Sequence, residues 1–451
     1  MTQSPYLPNT EADRRAMLAE IGVSSVADLF ADIPKEVRFK GRMNLPRPLS
    51  EPELLGHLQG LSRKNATASE WVTFLGGGAY DHFIPSVVGH VLGRSEFYTA
   101  YTPYQPEVSQ GVLQSIFEYQ SLIVRLTGLD VSNASMYDGA SAMAEAALIA
   151  CAATHRTKVI VPAAVHPEYL ATTRTYTQGQ KIEIVLAGFD AKTGQTDLEA
   201  LEKLVDDNTA AVLLQHPNFF GCLERPDEVS RLAHDKGALL VVAVDPISLA
   251  LLKPPGAYEA DICVGEGQAL GNPMSFGGPY LGFLATTEKL VRRMPGRIAG
   301  ATVDQDGDRG FVLTLQTREQ HIRREKATSN ICSNEALNAL AAAVYLTTLG
   351  KAGLVEVAKL CLGKAHYARD QITKLPGYSA PFSAPFFKEF VVKGPGTLKD
   401  VNGRLAGRKM LVGPGLDQAY PDLLGCFVVA VTEKRSKAEI DGLVAGLGGK
   451  A

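Results

Sequence analysis

The chain has 451 residues, 45% of them hydrophobic and 21% charged, with a formal net charge of −3. That composition suits a globular chain with a full core, and the length points to two domains or a large and a small lobe. A charge this close to zero gives no electrostatic basis for binding nucleic acid or an anionic membrane.

The chain opens with MTQSPYLPNTEADRRAML, which has no apolar signal core and is too acidic and proline-rich for a transit peptide. No apolar run reaches the roughly 20 residues that span a bilayer, and a cytoplasmic location is expected. Residues 1–60 read as a helical arm. In TEADRRAMLAEIG a capping threonine and an acidic first turn precede apolar residues at helical spacing. From about 70 to 325, β-branched runs alternate with longer amphipathic stretches. The runs are KVIVPAAV, KIEIVLAG, AAVLLQHP, ALLVVAVD, DICVGEG and YLGFLAT, and 197–207 and 225–236 have helical period. Continuous apolar runs separated by helices predict a mostly parallel sheet buried on both faces. After about 330 two long helices, NEALNALAAAVYLTTLG and Leu354 to Thr373, precede isolated strands FKEFVVKG and CFVVAVTEK. A final helix runs into a glycine-rich tail. The expected division is an arm (1–60), a large α/β domain (61–328) and a small α+β lobe (329–451). Cys151, Cys222, Cys263, Cys332, Cys361 and Cys426 are scattered without metal-ligand spacing, so no metal is expected and most read as buried, reduced thiols.

Several stretches could carry chemistry. In NASMYDGASAMAEAAL, Asp138, Gly139 and Ser141 open an alanine-rich helix whose first amides would accept a phosphate, although a plain capped core helix explains them too. Asp245 ends an apolar strand, where ligands sit in open α/β sheets, and a carboxylate there can hold a pyridinium nitrogen protonated. As Asp-Pro it also suits a helix start. Asn218 in QHPNFFG lies one strand away, within reach of a ring hydroxyl, or is simply turn chemistry. A Schiff-base lysine would belong in the small-residue loop near 268. That position is Gln268, whose amide nitrogen is no nucleophile, and no lysine lies between Lys253 and Lys289. In EFYTAYTPYQPEVSQG, Tyr98, Tyr101, Tyr104 and Gln105 crowd a loop ahead of a helix starting near Pro106 and Glu107. An interface and a core position both suit them. FLGGGAYDH sets three glycines before Tyr80, Asp81 and His82, a loop suited to close approach. The segment 314–334 packs Arg318, Arg323, Arg324 and Lys326 ahead of Thr328, Ser329 and Asn330, which also reads as a solvated helix face and its cap.

Taken together, FLGGGAYDH, YTPYQPEVSQG, NASMYDGASA, QHPNFFG, KPPGAYEADI, GEGQALG, SFGGPYLGF and RREKATSNIC resemble the glycine-cleavage-system P-proteins, and specifically their N-terminal half, subunit 1. The resemblance implies an aspartate-aminotransferase-like (fold-type I) architecture and a glycine dehydrogenase (decarboxylating) working as a complex, α2β2, with a lysine-bearing subunit 2. It implies pyridoxal 5′-phosphate in that partner only, release of CO2 from glycine, and transfer of the aminomethyl group to the lipoyl arm of H-protein. In that setting Ser141, Asn218 and Asp245 are vestigial cofactor residues and Gln268 marks the lost lysine. Tyr98, Tyr101, Tyr104, Gln105 and the 76–82 loop with His82 support the partner's site, and Ser329 and Asn330 reach the partner's cofactor. Arg292, Arg293 and Arg297 read as an ordinary solvated face beside the option of meeting H-protein. Two other readings are a purely structural scaffold and a free-standing pyridoxal-phosphate enzyme using Lys253 or Lys289.

Overall fold

The computed structural model describes residues 6–331 and 334–449. The chain forms two compact units, Met1–Asn65 and Ala66–Ala451. In the first, the helix Glu11–Ile21 starts at a capping box. Thr10 accepts from the Asp13 amide at 3.2 Å while Asp13 accepts from the Thr10 amide at 2.7 Å. A second helix, Glu51–Ser62, begins with the same device built from Ser50 and Glu53.

The second unit contains strands β1 (Val72–Leu75), β2 (Val131–Ser132), β3 (Lys158–Pro162), β4 (Glu183–Ala187), β5 (Thr209–His216), β6 (Leu239–Val244), β7 (Ile262–Glu266), β8 (Gly282–Thr286), β9 (Ile298–Val303), β10 (Arg309–Thr314), β11 (Glu389–Lys393), β12 (Met410–Gly413) and β13 (Cys426–Ala430). Seven of them form one sheet in the order β2-β8-β7-β6-β5-β3-β4. The strands from β3 to β7 run parallel, and β8 is antiparallel to both its neighbours. The pleat explains the continuous apolar runs. In β5 and β6, Val212, Leu214, Leu240, Val242 and Val244 face one core with the helices Gln110–Thr127, Pro226–His234 and Ala336–Ile372. Ala211, Leu213, Val241 and Ala243 face the other core with the helix Gly139–Thr154.

Each of the six runs expected as strands forms one, β3 to β8. The β9–β10 hairpin was not anticipated. The fold is therefore α/β with a mostly parallel central sheet. Ala336–Ile372 is one span broken at Gly350 (φ 58°, ψ −172°) into the two helices read from the sequence. It is apolar and long enough to cross a membrane by length alone, yet it packs into the core through Ala339, Ala342, Tyr345 and Ala358. The C-terminal lobe pairs β11 with β13 and β12 with β1, and Phe74 of β1 is buried in its core. Residues 72–75, placed by the sequence reading in the 61–328 domain, thus form a strand that serves the lobe. The 76–84 loop that follows β1 is consequently carried across the C-terminal ends of β5, β6 and β7.

Candidate functional site

Asp245 follows the C-terminal end of β6, and its two oxygens have different partners. Oδ1 accepts from the Ile247 amide at 2.9 Å, the turn-capping role expected of Asp-Pro. Oδ2 pairs with the Nζ of Lys388 at 2.6 Å. Lys388 lies just before β11 and is 1% exposed. Its ammonium also meets Nε2 of His82 at 3.0 Å and sits 3.6 Å from the centre of the Tyr80 ring. An ammonium has only protons to give, so the His82 Nε2 accepts and its Nδ1 carries the hydrogen that Glu433 Oε2 receives at 2.6 Å. Burial and the Lys388 charge both lower the His82 pKa, which fits this neutral tautomer.

At the other end of the same cleft stands Glu266, the last residue of β7. Its Oε2 accepts from the Gly139 amide at the start of the alanine-rich helix, and its Oε1 accepts from the amides of Gln268 and Leu281, each at 3.0 Å. Burial pushes its pKa up to about 7, the three amides opposing. A second block comes from Tyr169: a Cβ on Gly139 would lie 2.1 Å from its hydroxyl. Tyr169 in turn stacks on His166, ring centres 5.1 Å apart. What is left between Asp245, Lys388, Tyr169 and Glu266 is a cavity of about 40 Å³. That is room for a few water molecules, whereas ligand sites run to hundreds of Å³. Pyridoxal phosphate therefore does not fit this chain's own site. The acid that would meet its ring nitrogen is paired with a lysine, and the helix start that would meet its phosphate faces a carboxylate.

Gln268 is fully committed. Its Oε1 accepts from the Tyr80 amide at 2.8 Å, and its Nε2 donates to the carbonyls of Tyr80 at 3.1 Å and Asn272 at 2.7 Å. It brackets the 76–84 loop. The loop is held at other points as well. Glu389 accepts from the Gly77 amide and the Tyr80 hydroxyl, Asp81 pairs with Lys434 and Arg435, and the Phe83 amide donates to Glu433. The glycines make this closeness possible: a Cβ on Gly76 would lie 2.4 Å from Glu389 Oε2, and Gly77 has φ +76°. On the outer side of the loop lies an apolar groove of about 700 Å³, walled by Leu75, Ala79, Phe83, Met274 and Phe276.

The remaining candidates separate into inward and outward sets. His82 is buried among Glu433, Lys388 and Tyr80, so the expected outward role at a partner's site gives way to an internal one. Asn218 donates to Gly194 and Glu224 and accepts from the Phe220 and Cys222 amides, which makes it turn chemistry with nothing left for a ring hydroxyl. Ser141 is spent on a capping box with Asp138. Arg297 is buried and donates to the Tyr104 hydroxyl at 2.9 Å, so it is no part of a solvated face. Lys253 pairs with Asp227 at the surface and Lys289 is exposed, which leaves neither near Asp245's cleft. Facing outward are Tyr98 (70% exposed), Tyr101 (82%) and Tyr104 (52%), together with Gln105, in a loop closed by the turn Pro106–Val108. Half-buried Ser329 and exposed Asn330 border a separate cavity of about 470 Å³ with Tyr137, Glu145 and Tyr176. The cysteines other than Cys332, which lies outside the described residues, are free and buried. His82, Cys361 and Glu433 lie close enough to hold a metal ion, but a cation there would face the Lys388 ammonium.

Sequence reading missed Lys388, Glu266, Glu389 and Glu433. The signal for the first was present in FFKEFVV, where an adjacent Lys-Glu pair interrupts an apolar strand. Charges in such a place are tolerated only when paired.

The family model for the glycine cleavage system P-protein matches residues 4–447. The chain is 59% identical over 444 residues to the "Probable glycine dehydrogenase (decarboxylating) subunit 1" of Carboxydothermus hydrogenoformans, covering 98% of this chain and 99% of that one. To the protein of the same description from Moorella thermoacetica it is 56% identical with the same coverage. Among solved structures, the glycine decarboxylase (P-protein) of the glycine cleavage system in inhibitor-bound form superposes with a TM-score of 0.90 at 44% identity, covering 99% of this chain and 100% of that one. A Burkholderia pseudomallei sphingosine-1-phosphate lyase superposes with a TM-score of 0.66 at 16% identity, over 92% of this chain and 94% of that one, a likeness of fold alone. With a match spanning nearly its whole length, the chain belongs to the glycine cleavage system P-protein family.

Proposed function

We infer that this chain is the subunit of a glycine decarboxylase that supports the reaction without carrying the cofactor. The observation that carries this reading is the filled cleft: a chain of the P-protein family whose own site has about 40 Å³ left must do its work beside a site held elsewhere. The partner is the lysine-bearing subunit 2, assembled as an α2β2 complex in the cytoplasm. Pyridoxal phosphate in that partner supplies the electron sink for loss of CO2 from glycine. The aminomethyl group leaves on the lipoyl arm of H-protein.

This chain's contribution is binding and positioning. Tyr98, Tyr101, Tyr104 and Gln105 form an exposed, amphipathic rim that can line a pocket across a subunit boundary and exclude water from it. Tyr104 is held in place by Arg297, whose guanidinium both donates to its hydroxyl and lies 5.3 Å from its ring centre. Ser329 and Asn330 offer a hydroxyl and an amide to an anionic group on the partner. A scaffold with no part at the site predicts that changes in this loop leave the activity of the complex intact.

The test is to incubate the purified chain with pyridoxal phosphate, reduce with borohydride and measure the intact mass. The test is repeated after adding subunit 2, with H-protein-dependent release of CO2 from glycine as the second readout. No adduct alone, and cofactor-dependent activity only in the mixture, is expected. An adduct on the isolated chain, or full activity of subunit 2 without it, overturns the reading.

A further inference from the structure

The cleft beside Asp245 is closed by groups whose charges match those a pyridoxal phosphate would bring. Such a cofactor places a cation against the acid at the strand end and an anion against the helix start. Here the chain provides both: the Lys388 ammonium on Asp245 at 2.6 Å, and the Glu266 carboxylate on the Gly139 amide at 3.0 Å. Lys388 arrives from the C-terminal lobe, Asp245 from the large sheet, and Tyr80 and His82 from the loop after β1. The ammonium faces one group from the sheet, the Asp245 carboxylate, and two from the loop, the His82 ring nitrogen and the Tyr80 ring face. An ammonium this deeply buried is tolerated only when all its protons are engaged. We propose that Lys388 is the permanent internal stand-in for the cofactor's ring cation, pinning the 76–84 loop and the C-terminal lobe onto the large sheet. The site has thus been kept as a structural joint after ceasing to be a cofactor site. This inference concerns the chain's own fold and holds whether or not the chain serves a partner's site.

An ordinary packing defect and a missing cation are told apart by chemical rescue. Lys388→Ala removes n-propylammonium and leaves its cavity. In the full-length chain the substitution is expected to lower Tm by about 5 °C or more, since it strands a half-buried carboxylate and opens a void. Adding n-propylammonium at about 100 mM is expected to recover at least half of that loss in Lys388→Ala, and to move neither wild type nor Lys388→Met. The neutral analogue n-propanol is expected to recover none of it. A paired change gives an independent reading. Asp245→Asn added to Lys388→Met removes both charges and is expected to be more stable than Lys388→Met alone. It also serves where Lys388→Ala does not fold. Equal stability of Lys388→Ala and wild type, rescue by the alcohol as much as by the ammonium, or a double variant no more stable than Lys388→Met would each overturn the proposal.

Discussion

Glu145 tests the electrostatics of the fold at a single group. It lies in the helix Gly139–Thr154, is buried, and has an Oε2 without a hydrogen-bond partner. Burial pushes its pKa from 4.5 up to about 7, with the Ser329 hydroxyl opposing. The folded value lies above the unfolded one. Between those two pH values the folded chain keeps a proton that the unfolded chain has lost, so stability falls as pH rises through the window and is level on either side. A rise from 4.5 to about 7 corresponds to about 3 kcal/mol, an upper figure that applies in full only above pH 7. Glu145→Gln keeps the shape and removes the titration. The assay is urea unfolding of wild type and variant from about pH 4.5 to about pH 8, followed by midpoint and slope. Taking the difference between the two proteins at each pH cancels every other titrating group. The variant is expected to gain on wild type across the window, by up to about 3 kcal/mol at pH 8. Parallel curves would show that Glu145 is not held protonated by burial, and the reasoning would fail.

Gln268→Lys is expected to give no borohydride-trapped adduct with pyridoxal phosphate, because the lysine would enter a cleft already filled; a mass increase of the cofactor's size would refute that. His82→Ala leaves the Lys388 ammonium and the Glu433 carboxylate each short of a buried partner. A stability loss of about 2–4 kcal/mol by urea unfolding is expected, and an unchanged midpoint would contradict the internal role of the ring. Tyr104→Phe keeps the ring but loses the hydroxyl that accepts from Arg297. A two- to tenfold fall in glycine decarboxylation by the complex is expected, with co-elution of the subunits unchanged. Wild-type rates would remove Tyr104 from the site. Gly139→Ala forces a Cβ to within 2.1 Å of the Tyr169 hydroxyl, and a loss of about 1–3 kcal/mol is expected; wild-type stability would show that Tyr169 moves aside freely.

The six apolar runs that became strands were legible in the sequence because a sheet buried on both faces needs apolar side chains at every position of a strand. β1 and β12 were not, since four residues carry too little pattern and each pairs with a segment more than 300 positions away. The absent lysine was equally plain: none lies between Lys253 and Lys289, and Gln268 stands where the resemblance places the Schiff-base residue. What fills the cleft beside Asp245 could not be read. Lys388 lies 143 positions from Asp245 and 306 from His82, and nothing local in FFKEFVV says which acid meets it. His82 shows the same limit from the other side. Its motif suggested a loop suited to close approach, and the resemblance gave it a part in the partner's site, yet it is turned inward onto Glu433 and Lys388.

By itself, then, the sequence determined the α/β class, which apolar runs are buried as strands and the absence of a lysine from the loop near Gln268. These depend on residue type and on periodicity along the chain. Only the tertiary structure decided that the cleft beside Asp245 is filled by this chain's own lysine and glutamate. A buried charge is defined by its partners, and those partners come from three distant segments that meet only when the chain has folded.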